Sequence, residues 1–419
     1  MSRAAPSATS PHLPRRALIV GGSMAGLFTA LLLSRQGWQV DVFERVGGEL
    51  SGRGAGIVTH APLFDVLARA GVSCRPDDLG VGVAGRRVFD RAGRLEAEIA
   101  LPQVLTSWGR LYAVLRAHLP AERYHTDANL VAVEEGSDGV TARFEDGTTA
   151  RGDLLVGADG LHSTVRNLLS PGVRPSYVGY VAWRGLVEEA ALSDATRRAL
   201  CGHFAFSLPP GEQMLGYPVA GADEAVLPGH RRFNFVWYRP AASGEMLGDL
   251  LTDDAGTRHE ISIPPNRIRP QVIAAMRADA DRLLAPQFAE VVRRTAMPFL
   301  QAILDLEAPR MRLGTRSVIL GDAAFVARPH VGMGVTKAAV DAAALADALA
   351  GHPRDIGAAL DGFERKRLAS GRAVIRRARH LGAYMQAQIL DPEERAMAER
   401  HRSPEAVMTE TAVATGLAA

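Results

Sequence analysis

Ala17-Leu18-Ile19-Val20 is an unbroken apolar run closed by the pair Gly21-Gly22. An apolar run without polar alternation fits a strand covered on both faces, as in a parallel sheet. Met24 to Arg35 reads as a helix that Gly37 stops, and Val40 to Phe43 reads as a second buried strand ending at Glu44. Strand, tight turn, helix and strand in this order open a doubly wound α/β domain.

Further along, Val140 to Phe144, the pair Asp146-Gly147 and then Thr148 to Val156 predict a β-hairpin, with Asp-Gly supplying the positive φ of its turn. From about 176 to 300 the texture changes to aromatic strand-like pieces (Tyr177 to Trp183, Phe204 to Phe206, Phe233 to Tyr238) separated by Pro/Gly turns. This predicts a second, sheet-rich domain. Ser317 to Leu320 returns to a buried strand, closed by Gly321-Asp322, and an Ala-rich helix is expected over Thr336 to Ala350. The divisions expected are a flexible tail at 1–14, a discontinuous nucleotide-binding domain at 15–75, 100–175 and 300–350, a substrate-binding sheet domain at 76–99 and 176–299, and a C-terminal helical segment at 351–419.

Composition narrows the function classes. A chain of 419 residues suggests two or three domains with cores that need no disulfides or metal. Against 46 acidic residues stand 48 basic ones, which argues against nucleic acid as the main partner. The 12 histidines show no ligand spacing and the two cysteines, Cys74 and Cys201, match none, so no metal site is proposed. Arg15-Arg16 ahead of the uncharged run Ala17 to Leu33 imitates an export signal or a membrane span. The interruption at Gly21-Gly22-Ser23 and the lack of a cleavage motif favour strand, turn and helix instead, in a cytoplasmic protein without a membrane partner.

The first turn, Gly21-Gly22-Ser23-Met24-Ala25-Gly26, resembles the dinucleotide pattern G-x-G-x-x-G with Ser23 at its middle glycine. Serine is small and can donate a hydrogen bond to phosphate. Glu44 follows 18 residues after Gly26 at the end of the second strand, where a carboxylate accepts ribose hydroxyls and repels a 2′-phosphate. The adenosine half therefore belongs to FAD or NAD. A second glycine-rich stretch, Ser51 to Ile57 with Arg53 and Gly54, has no obvious use in a plain NAD dehydrogenase. Asp153 to Gly160 leads into Ser163-Thr-Val-Arg166, and Val318 to Ala324 precedes Pro329-His-Val-Gly332-Met-Gly334.

These three elements in this order resemble the fingerprints of the class A flavoprotein aromatic monooxygenases: the glycine-rich turn, the "DG" motif and the "GD" motif. Glu122 to Thr126, Tyr180 to Gly185 and Arg328-Pro-His330 are similar to the hydroxypyridine and hydroxynicotinate hydroxylases of that family. The resemblance implies an α/β, Rossmann-like three-layer FAD/NAD(P)-binding domain, an α+β domain with a mixed sheet for substrate, and C-terminal helices. It implies FAD as cofactor, NAD(P)H and O2 as co-substrates, a small aromatic or heteroaromatic ring as substrate, and hydroxylation through a flavin C4a-hydroperoxide. Epoxidation or oxidative decarboxylation of a ring acid on the same fold is the enzymatic alternative, and a non-catalytic flavin protein the other.

Family roles carry over where residues match. Gly21, Ser23, Met24, Ala25 and Gly26 would cradle the pyrophosphate at a helix N-terminus. Glu44 would hold the adenosine ribose beside Arg45, while Arg53, Gly54 and Arg110 would serve the phosphate and ribitol region. Asp159 belongs to the DG motif, Asp322 would bind ribitol hydroxyls, and Pro329, Gly332 and Gly334 would present backbone to the flavin pyrimidine. Phe325 stands where many relatives have His, and Met333 and Thr336 where they have Gln and Asn, which puts the substrate side of the flavin in question. Tyr217 is the first candidate for the pocket, His330 for a proton relay, Trp183 and Arg184 for a wall and an anion anchor, and His60 for a further contact. The arginines between 365 and 379 read as a solvated helix face, or else as a surface that steers NAD(P)H or supports a homodimer.

Overall fold

The structure, a computed structural model, describes residues 15–48, 56–222, 224–386 and 391–414. The tail at 1–14 and the candidates Arg53 and Gly54 lie outside the described residues.

Arg16–Val20, Met24–Arg35 and Gln39–Phe43 form the expected opening unit. They belong to a parallel sheet of five strands ordered Ser317–Ile319, Leu154–Gly157, Arg16–Val20, Gln39–Phe43 and Tyr124–His125. Every residue from Met24 to Leu33 is buried, because the helix is covered by the sheet and by the Ala-rich helix Gly334–Gly351. No helix among the described residues is long and apolar enough to cross a membrane.

The hairpin forms, with Gly147 at φ +84°, but its second arm ends at Gly152 rather than Val156. Asp153 accepts the Arg16 backbone N–H at 2.8 Å, and Leu154–Gly157 then pairs with Arg16–Val20 in the parallel sheet. The hairpin and Leu130–Gly136 make a separate three-stranded sheet.

A nine-stranded sheet runs in the order Phe325–Val326, Phe299–Glu307, Ser176–Glu188, Arg232–Pro240, Gln213–Val219, Phe204–Ser207, Val81–Phe89, Leu95–Ser107 and Gly56–Val58. Its pairs are antiparallel apart from Phe204–Ser207 with Val81–Phe89. The strands at 56–58, 299–307 and 325–326 therefore pair here, beyond the expected boundaries, since a local pattern does not reveal which sheet a strand joins. Alternation gives this sheet two faces. Trp183, Met214, Phe233, Phe235 and Trp237 pack with Met276, Phe288 and Val292 of the helices Pro270–Leu283 and Pro286–Arg294. Tyr180, Phe204, Phe206, Leu215, Tyr217, Val236 and Tyr238 form the other face.

The basic helix spans Ile356–Gly382. Arg365, Lys366, Arg372 and Arg376 are exposed as expected, but Arg367 is buried and donates to Asp341 at 2.7 Å. Arg377 and Arg379 pair with Glu410 and Asp305. These arginines fasten the helix to its neighbours, which corrects the reading of a wholly solvated face.

Candidate active site

Two cavities meet between the sheets. One, of about 420 Å³, runs from Glu44, Arg45, Val46 and Asn129, past Gly21, Ser23, Met24 and Ala25, to Asp159, Asp322 and Gly334. The other, of about 310 Å³, is lined by Arg184, Phe204, Tyr217 and Tyr238 on the nine-stranded sheet, by Pro329, Gly332 and Met333, and by Thr411 and Ala412 near the C-terminus. Asp322, Gly334 and Val335 border both.

The first cavity is built by glycine. Gly21 takes φ +107° and donates its N–H to the Phe43 carbonyl at 2.8 Å. A Cβ at Gly26 would lie 1.9 Å from the Gly21 carbonyl oxygen, so glycine is what lets the helix start this close to the strand. At Gly22 a Cβ would meet the Tyr124 hydroxyl at 2.1 Å. Glu44 receives the backbone N–H groups of Gly22 at 2.8 Å and Val46 at 3.0 Å, which fixes its carboxylate at the cavity end with lone pairs still available. Ser23 caps the helix Met24–Arg35 without using its side chain, and the first turn carries no acid. A Ser23 hydroxyl and first-turn N–H groups with no partner among the described residues suit an anionic diphosphate.

Asp159 accepts from the Ser163 hydroxyl at 2.5 Å and the Val165 N–H at 3.0 Å, and burial pushes its pKa up. Arg166, fully buried, donates to the carbonyls of Leu161 and Ala323 and so ties the DG loop to the GD loop. Asp322 projects into the junction of the cavities, where desolvation raises its pKa while Lys337 opposes the shift. Behind it, Lys337 donates to the Gly321 carbonyl at 2.8 Å and to Asp341 at 3.2 Å, and Asp341 accepts the Gly321 N–H at 3.1 Å. The helix Gly334–Gly351 begins at the junction and directs its N-terminal N–H groups there. Arg45 lines the first cavity, whereas Arg110 lines neither. The Arg110 guanidinium is engaged by the Asp78 carbonyl and the Glu224 carboxylate, so its expected place at the phosphates is corrected.

Of the residues expected to meet substrate, Tyr217 and Arg184 both line the second cavity, and Trp183, His330 and His60 do not. Tyr217 packs edge-on against Phe204 at 4.9 Å, and burial raises its pKa well above the usual phenol. Arg184 is half-buried, hydrogen-bonds Tyr238, and keeps a buried Nε–H with no partner among the described residues. Among those residues it forms no ion pair with a carboxylate. Trp183, the next residue on the strand, faces the opposite way into the core beneath the helices and cannot be a pocket wall. His330 is turned away from both cavities. Its Nε2 meets the Tyr180 hydroxyl at 2.9 Å and its Nδ1 meets Gln213 at 3.2 Å, so a relay at the flavin edge is corrected to a buried bridge. Burial, with Arg328 and Arg184 nearby, lowers its pKa to about 3. His60 is likewise spent on Thr336 at 3.1 Å and the Ala412 carbonyl at 3.4 Å. Phe325 lies in the core against Gly371 and 5.9 Å from the Lys337 ammonium, so the departure from His does not reach the cavity.

Phe204, Tyr238, Thr411 and Ala412 are cavity residues that the motifs do not mark. Alternation along the aromatic strands could have singled out Phe204 and Tyr238. Nothing local marks Thr411 or Ala412, which reach the site from more than 300 residues beyond the turn at Gly21.

A family model described as an FAD binding domain-like domain matches residues 177–305, and an NAD(P)-binding Rossmann-like model matches residues 19–77. The chain is 33% identical to a 2,6-dihydroxypyridine 3-monooxygenase of Paenarthrobacter nicotinovorans, across 88% of this chain and 91% of that protein. It is 30% identical to a 3-amino-4-hydroxybenzoate 2-monooxygenase of Streptomyces cremeus, across 87% and 86% of the two chains. The solved 2,6-dihydroxypyridine-3-hydroxylase of Arthrobacter nicotinovorans superposes with a TM-score of 0.83 at 32% identity, covering 92% of this chain and 96% of that one.

Proposed function

This chain belongs to the FAD-dependent aromatic monooxygenases, and from that premise we propose that it hydroxylates a small, hydroxylated nitrogen heteroaromatic ring such as a dihydroxypyridine, with NAD(P)H and O2 as co-substrates. FAD would lie along the first cavity and reach into its junction with the second, where Glu44 would hold the ribose, Ser23 and the helix N-terminus the diphosphate, Asp322 the ribitol and the Pro329–Gly334 turn the flavin pyrimidine. When bound, it supplies electron transfer from NAD(P)H and activation of O2. The tasks left to the chain are to hold the ring, to exclude water and to manage a proton.

The observation that carries the reading is Arg184, a half-buried guanidinium that opens into the second cavity with no carboxylate partner among the described residues. An unbalanced cation in a partly desolvated cleft favours an anion there. It therefore lowers the pKa of a ring hydroxyl and holds the resulting oxyanion, and an electron-rich ring anion is what electrophilic oxygen transfer requires. Tyr238, whose pKa burial pushes up to about 12, stays protonated and can donate a second hydrogen bond beside Arg184. Phe204 and Tyr217 supply ring faces and Leu215 and Val236 apolar surface, and the cavity of about 310 Å³, shared with the flavin end at Pro329 to Gly334, leaves room for a small ring only. The relative named for dihydroxypyridine supports this substrate class, and the one named for aminohydroxybenzoate supports a small hydroxylated aromatic ring more broadly.

Titration of FAD-loaded protein with 2,6-dihydroxypyridine tests the reading through the ultraviolet spectrum of the bound ring. The ring should bind as its anion at a pH where the free compound is mostly neutral, and Arg184→Gln should remove that spectral shift and weaken binding at least tenfold. Binding of the neutral form, or unchanged binding by the variant, would refute it.

A further inference from the structure

We infer that Thr411 and Ala412, at the end of the segment that begins at Pro404, form a wall of the substrate cavity that sets the size of ring admitted, and that Arg86 is the positioning residue that seats the segment. The inference rests on the second cavity being the substrate site.

Arg86 lies on the strand Val81–Phe89 and is completely buried. Among the described residues it has no acid partner, and its guanidinium instead ends on oxygens. Nη1 donates to the carbonyls of Met408 at 2.8 Å and Thr411 at 2.5 Å. Nη2 donates to the Gln103 side chain at 2.6 Å and the Ala412 carbonyl at 3.4 Å, and Nε donates to Gln103 at 3.2 Å. These contacts match the five N–H groups of arginine. A buried guanidinium without a counter-ion is stable only while such acceptors stay in place. Three of the five contacts come from residues 408–412, so departure of the segment would strand the charge. Its pKa falls to about 10 through the same burial.

The segment is held from other sides as well. Ala412 donates its N–H to the His330 carbonyl at 2.7 Å, and its own carbonyl faces His60 and the Gln103 side-chain amide. Ala412 takes φ +53°, a conformation that alanine adopts only when its surroundings impose it. It rests directly on Gly332, where an added Cβ would lie 2.7 Å from the Ala412 Cβ. Thr411 and Ala412 thus line the same cavity as Arg184 and Tyr217 while gripping the loop at Gly332. This also gives His60 and His330 a shared role, as supports of the loop and the wall.

The test uses full-length, FAD-loaded protein and three measurements: hydrogen exchange of residues 404–412, affinity for FAD, and affinity for 2,6-dihydroxypyridine and a bicyclic hydroxyquinoline. Arg86→Gln should raise exchange in 404–412 at least tenfold and weaken the small ring at least tenfold. Thr411→Gly should admit the bicyclic ring, and Thr411→Phe should abolish binding of both rings while FAD stays bound. Unchanged exchange in Arg86→Gln, or parental ring affinity in Thr411→Phe, overturns the inference. If Arg86→Gln does not fold, the two Thr411 variants decide it alone. If the parent protein binds neither ring, the hydroxypyridine reading falls, and the exchange comparison still decides whether Arg86 seats the segment.

Discussion

At Gly26 a methyl group would have to occupy space 1.9 Å from the Gly21 carbonyl oxygen, and no side-chain rotation relieves a clash with backbone. Gly26→Ala should therefore weaken FAD binding at least tenfold, measured by recovery of flavin fluorescence on dilution; parental affinity would show that the helix start is not shaped by this contact. His330 makes a prediction about pH. Its pKa is lowered from 6.5 to about 3, so below pH 6.5 the unfolded chain takes up a proton that the folded chain refuses. Its contribution to stability is full above pH 6.5 and is lost as pH falls toward 3. Chemical denaturation at pH 7 and pH 5 should show a smaller drop for His330→Gln than for the parent protein, and an equal drop would remove His330 from the acid response. Both residues show why reading single positions from sequence has a limit. The glycine requirement is visible in the motif, whereas His330 beside Pro329 gives no hint that both its nitrogens are spoken for.

Elements tell a similar story. Met24–Arg35 and Gln39–Phe43 were legible because one buried unit depends on local pattern and a glycine stop. Trp183 and Arg184 expose the missing information: two neighbours on one strand face opposite ways, and only the partner layers decide which side is cavity. The helices Pro270–Leu283 and Pro286–Arg294 cover the Trp183 side, leaving Arg184 to the other. The long helix Ile356–Gly382 was readable as a helix but not as a brace, since its Arg367 finds Asp341 on a separate element. Asp341 also accepts from Lys337 and from the Gly321 N–H of the GD loop. Arg367→Met should cost about 3 kcal/mol by leaving part of a buried charge cluster uncompensated. The denaturation midpoint should fall with an unchanged slope; a parental midpoint would mean the cluster needs only Lys337.

Across the whole molecule, the chain passes repeatedly between the parallel sheet and the nine-stranded sheet, and the two cavities lie along that seam. A ligand that fills the seam contacts both layers, so cofactor binding and global stability are linked by mass action, by about 2.7 kcal/mol at a hundredfold excess over Kd. FAD should raise the melting temperature, and FMN, which lacks the adenosine proposed for Glu44, should raise it much less; equal shifts would contradict the assignment of Glu44. The ordered motifs made this seam legible on its cofactor side, because backbone geometry there dictates glycine and small residues at fixed spacing. Of the residues picked out for the ring, Tyr217 and Arg184 line the second cavity. Its other walls come from stretches scattered between Gly56 and Ala412, and Thr411 is 325 residues from the arginine that holds it.

The most direct test of the proposed activity is oxidation of NADH and NADPH in air by FAD-loaded protein with a panel of hydroxypyridines and hydroxybenzoates, quantifying hydroxylated product and peroxide together. A hydroxypyridine should stimulate oxidation at least tenfold, with most reducing equivalents recovered in ring product. Failure of every ring to stimulate, or recovery of all the electrons as peroxide, would contradict it.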